Sequence, residues 1–218
     1  MGISVYKDGA FHQLGGQHVF KDGLPIYIKH HDYMYYDGKW HRVSDLSLPT
    51  MAFTCTGDTG SVYVSKSKGA IQVTHSGADS GYVTSFPASI SVTADTTTLQ
   101  LTGDLLDIDC SGVKFESITG LPASLYALNC SNCGLASINV RNLGYIRSLY
   151  INNNTLTTLD ITGDSYLIYL QASANSFTQE TIDAILYQLW LYGMYGGTID
   201  LRNQTTNAGP SQTGLQYV

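Results

Sequence analysis

Three leucines, Leu128, Leu149 and Leu170, follow one another at intervals of 21 residues, and Ile108 precedes the first by 20. The same offsets recur after each anchor: Ile108, Cys110, Val113 and Phe115; Leu128, Cys130, Cys133 and Leu135; Leu149, Ile151, Asn154 and Leu156; Leu170, Ala172, Asn175 and Phe177. A further apolar position follows in Ile118, Ile138 and Leu159. A period this long belongs to stacked coils of chain, not to a single helix or hairpin. Each unit supplies one short strand whose alternate side chains point inward. Stacking then aligns equivalent positions into columns that form a continuous core. The Asn or Cys offset is where the chain leaves the strand, and its side chain is expected to satisfy backbone groups that the bend leaves unpaired.

The L-x-L-x-x-N/C-x-L pattern resembles that of leucine-rich repeats. Residues 178–192 read as a single helix closing the array. Gln179 and Glu180 sit in its first turn, where they suit the helix dipole. Ile182, Ile185, Leu186 and Leu189 share one face, and Gly193 is a stop signal. GGTIDLRNQ then supplies a last strand through Ile199 and Leu201. The ending SFTQETIDAIL…GGTIDLRNQ resembles the C-terminal cap of repeat proteins encoded by phages and by gut bacteria.

The chain opens differently. Asp8-Gly9, Asp22-Gly23 and Asp37-Gly38 each fall between short alternating segments, the pattern of tight hairpins that need positive φ in the turn. Three short hairpins share little core. Their aromatic side chains, Phe11, Phe20, Tyr33, Tyr35 and Trp40, are therefore the expected contacts of a docking module over residues 1–46. Between this module and the repeats, MAFTCT, SVYVSK, AIQVTHS, VTSF and SISVTAD alternate in strand fashion. Residues 47–97 are expected to form a small sandwich-like β unit, and residues 98–218 the repeat domain. The fold class is mainly β: hairpin module, small β unit, and a short solenoid with one capping helix.

Composition removes several function classes. Only 13% of residues are charged and the net charge is -6, with no Lys/Arg cluster to neutralise phosphates, so nucleic acid is not an expected partner. Apolar runs fall short of the ~18 residues a membrane span requires. MGISVYKDG has neither the basic nor the apolar region of a secretory signal. Cys130-x-x-Cys133 lacks the second pair of a structural zinc site; the repeat register makes Cys110 and Cys130 inward residues and Cys133 a turn residue, all free thiols. A disulfide would require the stacked Cys110 and Cys130 to come within bridging distance. The adjacent His30 and His31 point to opposite faces of a strand, and His12, His18, His41 and His75 show no ligand spacing. No nucleophile elbow or phosphate loop is present. Neither a metal, a cofactor nor an enzymatic activity is expected.

The residues that alternate with the buried ones form the concave face. They include Asp109, Asn129, Tyr150, Asn152, Tyr169 and Gln171, a polar palette carrying two tyrosines. Tyr with Asn, Gln and Ser combines rigid apolar area with adaptable hydrogen bonding, which suits a sugar or a protein epitope. YYDGKWHRV resembles segments of phage tail and fibre proteins. The two resemblances together imply a non-enzymatic virion structural protein. It would be assembled in the host cytoplasm, dock through residues 1–46 on other virion proteins, form homo-oligomers, and display the repeats toward a host-surface glycan or protein. The alternatives are a bacterial surface adhesin and a cytosolic protein-interaction module.

Overall fold

The computed structural model describes residues 2–7, 10–15, 33–36, 39–42, 48–76, 81–193 and 196–217, the first four ranges as backbone strands only. The fold is mainly β, with a β-solenoid of about three turns and one helix near the C-terminus. Strands β1 (Gly2–Lys7) and β2 (Ala10–Gly15) pair antiparallel, with Lys7 opposite Ala10. Strands β3 (Tyr33–Tyr36) and β4 (Lys39–Arg42) do the same, with Tyr36 opposite Lys39. In each pair an Asp-Gly lies between the strands, as its turn chemistry predicts. The expected hairpin around Asp22-Gly23 lies outside the described residues.

Eight strands follow: β5 (Thr50–Cys55), β6 (Gly60–Ser67), β7 (Ile71–His75), β8 (Gly81–Val83), β9 (Ala88–Val92), β10 (Thr98–Thr102), β11 (Leu105–Asp109) and β12 (Phe115–Thr119). They sort into two sheets. β5, β7, β8, β10 and β12 form an antiparallel sheet in the order β12-β5-β10-β7-β8. β6, β9 and β11 belong to a second sheet of seven strands, which continues through β13 (Ala127–Asn129), β14 (Ser148–Tyr150), β15 (Tyr169–Gln171) and β16 (Thr198–Asp200). The chain passes back and forth between the sheets, so apolar faces such as Met51 and Phe53, Val62 and Val64, and Leu99 and Leu101 meet in one core. Phe53 and Phe115 anchor it with ring centroids 5.0 Å apart.

The seven-stranded sheet draws its strands from both sides of residue 97. β6 pairs antiparallel with β11, and β9 with β6, so these two strands cover what would be the leading edge of the parallel run. From β11 onward every pairing is parallel. Ile108 lies opposite Leu128, Leu128 opposite Leu149, Leu149 opposite Leu170, and Leu170 opposite Ile199. The anchors expected to stack do stack, and the first four are fully buried. Cys110, Cys130, Ile151 and Ala172 form the second buried column.

One left-handed residue ends each strand: Gly112, Asn132, Asn153, Ala174 and Asn203 all have positive φ. Four are Gly or Asn, the types that tolerate this region. The next residue turns inward, and here side-chain amides replace missing backbone partners. Asn154 Oδ1 accepts from the N–H groups of Cys133 (3.1 Å) and Leu135 (3.0 Å), while its Nδ2 donates to the carbonyls of Cys130 and Ile151, both at 2.9 Å. Asn175 repeats the device one coil later, accepting from Leu156 and donating to Ile151 and Ala172. Gln204 does so after β16, accepting from Phe177 N–H and donating to Leu201. These groups satisfy buried backbone that would otherwise be orphaned.

A second left-handed bend recurs at Gly120, Asn142 and Gly163. Gly120 is obligatory, since a Cβ there would collide with the Thr50 carbonyl. The helix α1 (Gln179–Leu191) takes the outer limb of the last coil and buries Ile182, Ile185, Leu186 and Leu189. Thr178 caps it by accepting from Thr181 N–H. At its other end the Tyr192 hydroxyl accepts from Gly163 N–H at 2.6 Å, fastening the helix terminus to the neighbouring bend.

Candidate binding face of the solenoid

The outward residues of the seven-stranded sheet fall into two rows. Tyr63, Asp109, Asn129, Tyr150, Gln171 and Asp200 lie side by side across six strands. Asp107, Ala127, Ser148, Tyr169 and Thr198 form the parallel row. Neighbours along a row are separated by one strand spacing, about 4.8 Å. Tyr150 and Tyr169 belong to different rows and face each other diagonally. Asn152 follows Tyr150 just past the strand and is half-buried. The row also extends beyond the repeats to Tyr63 on β6, which the 21-residue period could not reveal.

The polar groups of this face are not equivalent. Asp109 accepts from Ser111 N–H (2.9 Å) and from Asn129 Nδ2 (3.0 Å). Asn129 in turn accepts from Ser131 N–H and its hydroxyl, at 3.1 and 2.7 Å. Both side chains are therefore engaged in shaping the loops that leave the strands. Asp200 binds Arg202 through Nε at 2.9 Å and Nη2 at 3.0 Å. The Arg202 hydrogen bonds hold its carboxyl down to about 2. In the middle of the face, Tyr150 and Gln171 are half-buried and Tyr169 is exposed.

An aromatic ledge flanks the face at the leading ends of the strands. Arg147 N–H donates to the Tyr126 carbonyl and Ile168 N–H to that of Arg147, which sets the three residues abreast. The Arg147 guanidinium lies 5.5 Å from the Tyr126 ring centroid and 6.0 Å from that of Tyr166. Such contacts contribute roughly 0.5–1 kcal/mol at exposed sites and hold the rings in place. Tyr145, 67% exposed, precedes Tyr166 by one 21-residue period. Tyr126 and Tyr166 thus flank one cation, and the exposed Tyr145 and Tyr169 add ring area just before β14 and on β15. Such a surface can stack on a sugar ring or a peptide and donate hydrogen bonds to it.

Cys110, Cys130 and Cys133 are buried free thiols, and Cys55 is free and half-buried. The Cys133 thiol donates to the Cys110 carbonyl at 3.2 Å. A hydrogen bond with Cys133, with burial second, pushes the Cys110 thiol well up; burial does so for Cys130. Both remain protonated at neutral pH and inert. Among the described residues no three His, Cys, Asp or Glu side chains are placed to hold a metal ion, and no helix is long and apolar enough to cross a membrane.

Of the expected docking residues, Phe11 lies opposite Tyr6 on the β1–β2 ladder, Tyr33 opposite Arg42, and Tyr35 opposite Trp40. Phe20 lies outside the described residues. Comparison of the chain with protein-family models, with curated proteins and with solved structures finds no match.

Proposed function

We propose that the chain is a non-enzymatic structural protein of a phage virion, a fibre, decoration or tail component built on leucine-rich repeats. In this reading residues 1–46 dock on other virion proteins, and the solenoid is displayed toward a glycan or protein of the host surface. The observation that carries the binding half is the sheet face: a polar, tyrosine-bearing surface on a rigid parallel ladder, bordered by Tyr126 and Tyr166 around Arg147 and by the exposed Tyr145. Its aromatic residues stand on strands and strand ends, so little ordering entropy opposes binding. The docking half rests on the sequence resemblance of the opening hairpins.

Two experiments test the halves separately. The chain should be found by mass spectrometry in purified particles, and deletion of residues 1–44 should remove it from them while leaving the repeats folded. Incorporation of the shortened chain would refute the docking role. For the face, a glycan array and host-cell binding would be compared between the wild type and a Tyr145→Ala, Tyr166→Ala, Tyr169→Ala variant. Unchanged binding would refute the receptor role.

A further inference from the structure

Each strand of the parallel run passes its amides to the next. Cys110 N–H donates to the Asn129 carbonyl, Cys130 to Tyr150, Ile151 to Gln171 and Ala172 to Asp200, each at 2.8 Å. The left-handed residues behave alike: Gly112 donates to Ser131, Asn132 to Asn152, Asn153 to Ser173 and Ala174 to Arg202. The equivalent amides after β16 are those of Leu201 and Asn203, and neither meets an acceptor among the described residues.

The side chains tell the same story. Ile199 and Leu201 continue the two inward columns, yet they are half-buried where their counterparts are inaccessible. Beside them lies an apolar cavity of about 410 Å³, floored by Ile182 and Leu186 and walled by Ala208 and Pro210. Among the described residues no further strand lies across this edge. After Gln204 it turns back over α1, where Ser211 N–H donates to Asp183 at 2.9 Å and the 3-10 helix Gly214–Tyr217 packs.

We propose that this edge is a self-association surface, on which the β16 edge pairs antiparallel with that of a second copy about a two-fold axis at Leu201. The charges select this occupant over an unrelated peptide. With Leu201 opposite its own copy, antiparallel register sets Asp200 of one chain opposite Arg202 of the other, twice over. Arg202 uses two of its donors on its own Asp200 and its side chain is 81% exposed; the remaining guanidinium donors can bridge to the second carboxylate. The pairing consumes the amides of Leu201 and Asn203. It also places each Leu201 against the other chain's open cavity. Five facing residues per chain, Ile199 to Asn203, still make a small interface, so the association is weak and salt-sensitive.

Sedimentation equilibrium of the full chain from about 1 μM to 1 mM, at low and high salt, tests the proposal. The expected result is a monomer–dimer equilibrium weakened by salt. Arg202→Asp, which sets two carboxylates face to face, should weaken it about tenfold or more. The swap Asp200→Arg with Arg202→Asp should restore it, because opposite charges again meet across the axis. Hydrogen exchange on the wild type gives a reading that needs no variant: the Leu201 and Asn203 amides should become protected as concentration rises. A monomer throughout the range, or a dimer indifferent to Arg202→Asp with both amides unprotected, would overturn it. Particle incorporation plays no part in these measurements, so the virion reading stands or falls separately.

Discussion

Asp164 occupies a column position that Leu143 fills one coil earlier, and it is only 1% exposed. One carboxyl oxygen accepts from Leu143 N–H at 2.7 Å; the other is buried with no hydrogen-bond partner among the described residues. Burial pushes the group up to about 7, against the lowering effect of the Leu143 bond, with the charge of Asp160 adding a little. In the unfolded chain an aspartate titrates near 3.9. Between these values the folded chain holds a proton that the unfolded chain has released, so stability falls as pH rises through this window. The contribution is fully present below about pH 4 and lost above about pH 7. A shift of about 3 units sets a ceiling of roughly 4 kcal/mol, and the higher effective dielectric of real protein interiors brings the expected value to about 2 kcal/mol. Asp164→Asn keeps the acceptor for Leu143 and removes the titration. Urea unfolding of both proteins from pH 4 to pH 8 should show the variant gaining about 2 kcal/mol on the wild type across the range. Other ionisable groups cancel in that difference. Two curves that stay parallel within about 0.5 kcal/mol would refute the reasoning.

The amide ladder and the left-handed column give two further tests. Asn154→Ala strands the Cys133 and Leu135 amides and takes a donor from the Cys130 carbonyl, while the Ile151 carbonyl keeps Asn175 Nδ2; it should cost about 3–5 kcal/mol in urea unfolding. A loss below about 1 kcal/mol would mean that water or backbone movement replaces the amide. Ala174 has a φ of 53° where its counterparts are Gly or Asn. Ala174→Gly relieves a left-handed alanine while adding unfolded-state freedom, for a net gain of about 0.5–1 kcal/mol and a higher melting temperature.

What could be foreseen in the chain follows from how locally each feature is encoded. The columns of Ile108, Leu128, Leu149 and Leu170 were legible because stacking forces aliphatic side chains to recur at fixed intervals. Asn154 and Asn175 were legible because a bend repeated in every coil needs the same repair. Helix α1 announced itself through Ile182, Ile185, Leu186 and Leu189. The pairing of β6 with β11 was not legible: Val62 and Val64 alternate in the same way whether their strand lies in a separate sheet or on the edge of the repeats. Strand β10 was hidden for a related reason, since Thr98–Thr102 runs directly into the first repeat. The tyrosine ledge sits before each strand, outside the L-x-L window. The recurrence of Tyr145 and Tyr166 at the repeat period was its one available signal.

Because β6 and β9 share a ladder with β11, the two halves of this fold are not separable parts. A cut at residue 97 would bare the flank of β11 and leave it sticky. In the interior the situation reverses, since each coil touches only those on either side. Spare 21-residue coils could therefore be spliced in between β13 and β14 to lengthen the ladder. Reach becomes adjustable in fixed increments while the sandwich at one end and the helix at the other stay as they are.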